Sequence, residues 1–435
     1  MARPLLLAAA ACVVPAASAP SGSSGWAHDW ETPASAWWGY GAMSGSVFSD
    51  ADVAFAARTY RVVVLSICMG ANTSSVADTI IDVAARLKAL APGIKTLQYF
   101  NMQQWACYNA EEPDYKTFME NPAWWLLNDA GKPVLNNGSP QYDWTKPAAV
   151  AHFVAMPLTR GGVSLDGFLL DGGAVYDPEA GVSADRAEAL KLAKWAAVGA
   201  LPARLTALNG GLVLANGMAG GPIDPHVDDP FNLGVLAFSD GVENERGSPA
   251  FEQVDGSTGA YRKDAIALNL AAAERAGQMA GGSKVVALNY WPGPIIGFPP
   301  PGSNASGWPV YAPNDPVHRA PNGTREEVIQ GWTALLSDWL PFNLASFLTI
   351  AGPSSYFTEM AWYAAFQGFA PCPDTPDSCA FPTPQAAAVM NNSLGPPLGP
   401  RVQLGPYKWV RHFAHAVVTL DLDEPLGPGT NIVWS

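Results

Sequence analysis

The stretch Leu165-Asp166-Gly167-Phe168-Leu169-Leu170-Asp171-Gly172-Gly173 decides how this chain is read. It is a short apolar run opened by Asp-Gly and closed by Asp-Gly-Gly, the pattern of a buried strand that ends in a turn. A carboxyl group at the end of such a strand is costly to bury unless something holds it. In an α/β barrel that end of the strand is where the chemistry sits. A second copy follows at Asp240-Gly241-Val242-Glu243-Asn244-Glu245, again Asp-Gly, three residues, then an acid. Two such strands bring two carboxylates to one mouth, the minimum set for cleaving a glycosidic bond. Each motif also has a plainer reading, because Asp-Gly is a common turn pair and an acid after a strand often caps a helix.

Working outward, the chain alternates strands and helices. Strands are expected at Trp37–Tyr40, Tyr60–Met69, Thr96–Asn101, Asp166–Asp171, Gly211–Asn216, Val235–Glu245, Lys284–Trp291 and Ala345–Ile350. Most are continuous apolar runs, as parallel strands buried on both faces are. Between them lie helical patterns. The clearest has Val76, Ile80, Val83, Ala84, Leu87 and Leu90 at helical spacing. Thr324 with Glu327 reads as a capping box for a helix running to Leu340. Eight strands alternating with helices predict an α/β fold, a (β/α)8 TIM-type barrel, with long loops after strands 3 and 7. The third-strand loop, Met102–Tyr142, holds Trp105, Trp124 and Trp125, and long loops of this kind are usually functional. No Gly-x-Gly-x-x-Gly follows the first strand, which argues against dinucleotide binding. The expected divisions are a leader at 1–19, the barrel at 20–365, and a C-terminal loop with a small β extension at 366–435.

Length and composition bound the remaining classes. The chain has 435 residues, 49% of them hydrophobic and 14% charged, with a formal net charge of −14. An acidic surface without a basic block excludes nucleic acid and anionic membrane as expected partners. Met1–Ala19 resembles a secretory leader, with Arg3, an apolar centre from Leu5 to Val14, and small residues at Ala17-Ser18-Ala19. Pro20 is a poor neighbour for cleavage, so the cut is expected a few residues earlier. The protein is therefore expected to be secreted or extracytoplasmic. Beyond the leader four cysteines remain, Cys68, Cys107, Cys372 and Cys379. An even number in an exported chain suggests two disulfides. Cys372 and Cys379 flank one loop and form the obvious local pair, leaving Cys68 with Cys107. Asn-x-Ser/Thr sequons stand at Asn72, Asn137, Asn304, Asn322 and Asn391.

The acids Asp171 and Glu245 hold equivalent places in the two motifs. Asp171 is the expected nucleophile or base and Glu245 the acid, with Glu243 as the alternate. Two glutamates sharing one strand face favour keeping one of them protonated. Residues at other strand ends could hold hydroxyls or stack on a sugar ring: Trp37, Tyr99, Asn101, Asn216, Asn289, Tyr290 and Trp291, together with Asp166, Asp240 and the loop residues Trp105 and Trp124. Glu359 reads as a loop acid. His226 with Asp224, Asp228 and Asp229 matches no ligand spacing, so no metal and no cofactor is expected. The expected partner is an oligo- or polysaccharide, and the oligomeric state is left open. An inactive carbohydrate-binding barrel stays open as a second class. A barrel phosphodiesterase or metal hydrolase is a third, although the six histidines are scattered.

The run from Trp124 to Gly172 resembles barrel glycoside hydrolases of the loosely defined group that includes polygalactosaminidase-type enzymes. The resemblance rests on Trp125-Leu126-Leu127 with Gly131-Lys132-Pro133, on Asp143-Trp144-Thr145-Lys146-Pro147, and on Asp166-Gly167 through Asp171. Asp240-Gly241-Val242 through Glu245 is similar to that group's second acidic strand, and Arg411-His412-Phe413 to its tail. This likeness implies a barrel and a hydrolase whose catalytic acids lie on the two Asp-Gly strands.

Overall fold

The computed structural model describes residues 26–39, 48–65, 76–102, 113–136, 139–159, 165–171, 181–197 (apart from 188, 191 and 195), 212–216, 241–244, 263–282, 285–290, 295–297, 310–311, 325–359 and 388–435. Its centre is an eight-stranded sheet with every neighbouring pair parallel. The strands run in the order β1 (Ala36–Gly39), β2 (Val62–Leu65), β3 (Lys95–Asn101), β6 (Gly167–Asp171), β7 (Leu212–Asn216), β8 (Gly241–Asn244), β9 (Val285–Tyr290) and β12 (Ser355–Glu359). Short pairs β4 (Leu135–Asn136) with β5 (Ser139–Pro140), and β10 (Ile295–Gly297) with β11 (Val310–Tyr311), sit in the two long connections. The two ends of the sheet meet. The Phe357 amide on β12 donates to the Ala34 carbonyl at 2.9 Å, and Ser35 forms a parallel bridge to Phe357.

The strands form where the sequence is apolar on both faces. Val62, Val63, Val64 and Leu65 are all buried. The helix α1 (Asp50–Thr59) starts at a capping box in which Ser49 and Asp52 exchange side-chain and backbone hydrogen bonds, so two orphan amides are satisfied. The helix α2 (Val76–Leu90) buries Val76, Ile80, Val83, Ala84 and Leu87, whereas Leu90 is exposed at its end.

The eighth strand corrects the sequence reading. Ala345–Ile350 is not a strand but the last part of a helix spanning Arg325–Ile350, which passes through Pro341. From Phe342 to Ile350 every residue is buried. The helix lies against β12 through Phe347 and Phe357 (5.4 Å between ring centroids), and Arg411 of the C-terminal sheet reaches its end. This part of the helix is covered on all sides, its few polar residues Asn343, Ser346 and Thr349 included, and no charged face marks it as a helix, so its short apolar run reads as a strand. The strand β12 comes after it, and Glu359 ends that strand rather than standing in a loop.

The C-terminal extension is a four-stranded antiparallel sheet, β13 (Val402–Gly405), β14 (Lys408–His412), β15 (Ala416–Asp421) and β16 (Asn431–Trp434). Its inner face buries Trp409, Ala416, Val418 and Leu420. Arg411 donates to the carbonyls of Leu348 (3.0 Å) and Ala351 (2.7 Å), which caps the end of the helix Arg325–Ile350 with a cation. Arg401 pairs with Glu274 (2.7 Å) and Lys263 with Asp423, tying the sheet to the helix Lys263–Gly282.

The central motif is explained by close backbone approach. A Cβ on Gly167 would lie 1.9 Å from the Leu212 carbonyl oxygen of β7, so only glycine fits after Asp166. Gly167→Ala is expected to lower the unfolding free energy by about 3 kcal/mol or more, since backbone has to move to admit the methyl. Urea denaturation checks this, and a loss under about 1 kcal/mol would contradict the packing.

A second prediction concerns the segment entering β1. His28 packs edge-on against Trp30 (4.3 Å) and Tyr356 (6.1 Å), and its amide donates to the Pro353 carbonyl. Burial lowers its pKa from 6.5 to about 4. The unfolded chain therefore takes up this proton at a higher pH than the folded one. The stability linked to His28 is complete above about pH 6.5 and is lost as pH falls towards 4, up to about 3 kcal/mol. His28→Phe should remove that part of the acid sensitivity when unfolding is compared at pH 7 and pH 4. An unchanged pH dependence would show that His28 is not the group responsible.

Candidate active site

Strand alternation places the site. On β6, Phe168 packs against Phe100 of β3 (5.3 Å), and Phe100 packs against Phe153 of the helix α4 (Pro147–Thr159; 6.4 Å). That face of β3 and β6 looks towards the helices. The alternate residues Tyr99 and Asn101 of β3, and Leu169 and Asp171 of β6, look the other way, away from that helical layer.

At the C-terminal ends of β3 and β6 these residues meet. Asn101 and Asp171 are register partners, and the Met102 amide donates to the Asp171 carbonyl at 2.7 Å. The Tyr99 hydroxyl donates to Asp171 Oδ2. Asn101 Nδ2 donates to the same oxygen (3.3 Å) and to the Tyr99 hydroxyl oxygen (3.2 Å). Tyr99 is almost wholly buried, while Asp171 is half-buried at the rim. Two donors on one carboxylate oxygen fix the rotation of the group.

The sequence reading passed over one buried cation. Lys194, in the helical residues 184–197, is 2% exposed, with its Nζ 6.0 Å from the centre of the buried Trp144 ring. Burial brings its pKa down from 10.5 to about 7, and the charge of Asp171 acts in the opposite direction. The only trace of this in the sequence is a lysine on the apolar side of Leu190-Lys191-Leu192-Ala193-Lys194.

The remaining expected site residues fall into three groups. On β7, β8 and β9 the backbone places Asn216, Glu243 and Asn289, and on β1 Trp37. The register pairs Leu170 with Ala215 and Asn216 with Glu243, so residue 171, the last of β6, and residue 243, the last but one of β8, stand on strands that are two apart in the sheet. Glu245, Asp240, Trp105, Trp291 and the cysteines Cys68, Cys107, Cys372 and Cys379 lie outside the described residues.

Three positions are corrected. Asp166 sits at the N-terminal edge of β6, about 17 Å of strand away from Asp171. There it accepts from the Thr96 amide (2.8 Å) and pairs with Lys88 (2.8 Å) and Lys95 (3.9 Å), so it ties β6 to β3 and α2 instead of facing a ligand. Tyr290 is fully buried, with its ring on Phe357 (5.2 Å), which in turn touches Phe347 of the helix Arg325–Ile350. It belongs to the layer behind the sheet. Trp124 stacks on His152 of α4 (4.9 Å), and Trp125 Nε1 donates to the Phe118 carbonyl (3.1 Å). The aromatic residues of this loop are used to pack it down, with Tyr142 on Phe118 (4.3 Å) and Trp144 on Phe153 (4.9 Å).

No family model matches the chain, and no curated protein does. Solved structures with a similar course of chain include glycoside hydrolases. The glycoside hydrolase domain of PelA from Pseudomonas aeruginosa is 15% identical, over 60% of this chain and 83% of that one, with a TM-score of 0.36. The alpha-amylase of Geobacillus thermoleovorans, complexed with acarbose, is 8% identical over 90% and 86%, with a TM-score of 0.46. The alpha-galactosidase of Thermus thermophilus is 15% identical over 92% and 68%, with a TM-score of 0.41. At these values the likeness assigns no residue and no substrate.

The Tyr99–Asp171 hydrogen bond can be measured directly. A double-mutant cycle of Tyr99→Phe and Asp171→Asn, followed by urea denaturation, should give a coupling of about 1.5–3 kcal/mol, the range for a hydrogen bond to a charged group. Additive effects within about 0.3 kcal/mol would show that the two side chains do not interact.

Proposed function

We propose that this protein is a secreted glycoside hydrolase built on a closed (β/α)8 barrel, with Asp171 and a glutamate of the β8 end, Glu245 or Glu243, as its catalytic acids. Closure is supported by the hydrogen bond from Phe357 to the Ala34 carbonyl, which joins the last strand to the segment entering the first. The observation that carries the function is Asp171 held by Tyr99 and Asn101 at the C-terminal end of a central parallel strand. Residue 243 is the last but one of the second strand along. Two interstrand spacings separate their backbones by about 10 Å. That span suits two carboxyl groups acting on opposite sides of a glycosidic bond, which stand about 5–9.5 Å apart depending on mechanism.

In this reading Asp171 attacks the anomeric carbon or activates the attacking water, and the glutamate protonates the leaving oxygen. Tyr99 and Asn101 keep the Asp171 carboxylate in one rotamer while charge develops at the sugar. A fixed acceptor of this kind is what an oxocarbenium-like transition state requires. The leader-like Met1–Ala19, the disulfides Cys68–Cys107 and Cys372–Cys379, and glycosylation at the sequons are part of the same proposal. Asn391 lies exposed in a turn, where a glycan has room.

The test is a screen of the purified protein against a glycan panel, followed by Asp171→Asn, Glu245→Gln and Glu243→Gln on the best substrate. Asp171→Asn and one of the two glutamate variants should lose about 10³-fold or more in turnover while keeping the wild-type circular dichroism. Full activity in Asp171→Asn would overturn the assignment. Glycan binding without hydrolysis by the wild type would make it a binding barrel.

A further inference from the structure

We propose that two copies of this chain associate through the outer face of the C-terminal sheet, β13 to β16. The inference stands apart from the hydrolase reading, and its test needs no substrate.

The sheet is anchored by its inner face. Trp409, Val418 and Leu420 are buried on that side, and Arg411 reaches from it to the carbonyls of Leu348 and Ala351. The residues that alternate with these belong to the other face. One register row there runs Val402, Val410, Thr419 and Asn431, and the next runs His412, Val417 and Val433. Leu398, whose amide donates to the His412 carbonyl, extends the second row. Val402 is 53% exposed, Val433 58% and Leu398 70%, while Val410 and Val417 are half-buried.

A sheet that rests on a core by one face ordinarily turns polar residues to water on the other. Strand propensity accounts for a valine at an exposed position, but not for a leucine. Of the large hydrophobic side chains exposed among the described residues, half lie in this extension, Leu404 and Leu426 with the three above. Apolar side chains gathered on one exposed face mark a contact surface.

The make-up of the face selects the occupant. Neither row holds a Trp, Tyr or Phe, so a sugar ring has nothing to stack on. The lysine of this face, Lys408, is paired with Asp421 at 2.9 Å, which leaves a phosphate little to bind. Charge favours a second copy. The chain carries a formal charge of −14, so two copies repel wherever their acids meet. The two rows carry no acid, and the acid beside them is neutralised within the same face by Lys408. An apolar face is complementary to itself, and a two-fold axis brings like to like. Two such sheets pack face to face about 10 Å apart.

Size sets the strength. Four strands about 4.8 Å apart and about five residues long cover roughly 300 Å² in each copy. The two copies together bury about 600 Å², which is below the ~1,200 Å² of stable interfaces. The dimer is therefore weak, with a dissociation constant of about 10–100 μM. Arg411 reaches the residues just ahead of β12, so this part of the extension stands by the N-terminal ends of the strands. Contact there leaves the Asp171 rim open.

The experiment is sedimentation velocity on the full-length protein, from about 1 to about 300 μM to bracket that constant. The mass should rise from that of one chain to that of two across the range. Val402→Lys and Val433→Lys put a charge on each row at exposed positions. Each should weaken association by about 10-fold or more with unchanged circular dichroism. Val433→Thr, which keeps the branched shape, should weaken it by less and in the same direction. Leu90→Lys, at the exposed end of α2, should leave it unchanged. A single-chain mass at every concentration overturns the proposal. So does a dimer that persists when Val402→Lys and Val433→Lys are combined, or one weakened equally by Leu90→Lys, because the contact then lies elsewhere. A monomer that binds phosphatidylcholine vesicles, and loses that binding in the combined variant, overturns it in favour of a lipid surface.

Discussion

A carboxyl group that ends a buried parallel strand must be held by the protein around it, and the site follows from that requirement at Asp171. β6 lies between β3 and β7 with no room for a side chain at Gly167, so the strand is locked in register before its last residue reaches the rim. That register delivers Asp171 opposite Asn101, one alternation above Tyr99, and both neighbours then donate to the same carboxylate oxygen. The glycine and the acid of the motif act at opposite ends of the strand. One permits the packing and the other uses it.

The same motif holds a second acid with a different purpose. Asp166 and Asp171 look alike in the sequence, each beside a glycine. Asp166 is an anchor at the bottom of the sheet, holding the Thr96 amide and the Lys88 ammonium. Ion pairs of this kind, part-exposed, add little to stability by themselves. Their effect here is to fix β3, β6 and α2 relative to one another, and so to set the height at which Tyr99 meets Asp171.

Much of the fold was legible because its strands are short apolar runs ended by turn residues, and the first seven strands of the sheet fall where those runs are. The eighth was not, because the end of the helix Arg325–Ile350 is enclosed by the sheet on one side and the C-terminal extension on the other. Enclosure removes the charged, solvent-facing stripe that marks a surface helix. Asp171, Tyr99 and Asn101 could be singled out together in the sequence, since polar residues towards the end of an apolar strand stand out against it. Tyr290 fitted the same rule and failed it, because strand alternation turned it towards the helices. Trp124 failed for another reason: aromatic residues in a long loop were needed to pack that loop. Lys194 was invisible because a single lysine in a helical run reads as surface until the fold shows what covers it.

In the proposed hydrolase the reacting bond lies between Asp171 and a glutamate at the end of β8. A crystal structure of the Asp171→Asn protein with an oligosaccharide from the best-bound glycan class tests it most directly. The expected result is a sugar at the C-terminal ends of β3, β6, β7 and β8, with the anomeric carbon about 3–3.5 Å from residue 171 or from a water it holds, and the glycosidic oxygen within hydrogen-bond reach of Glu245 or Glu243. A sugar bound elsewhere, with residue 171 out of reach of any anomeric carbon and of any water facing one, would contradict it.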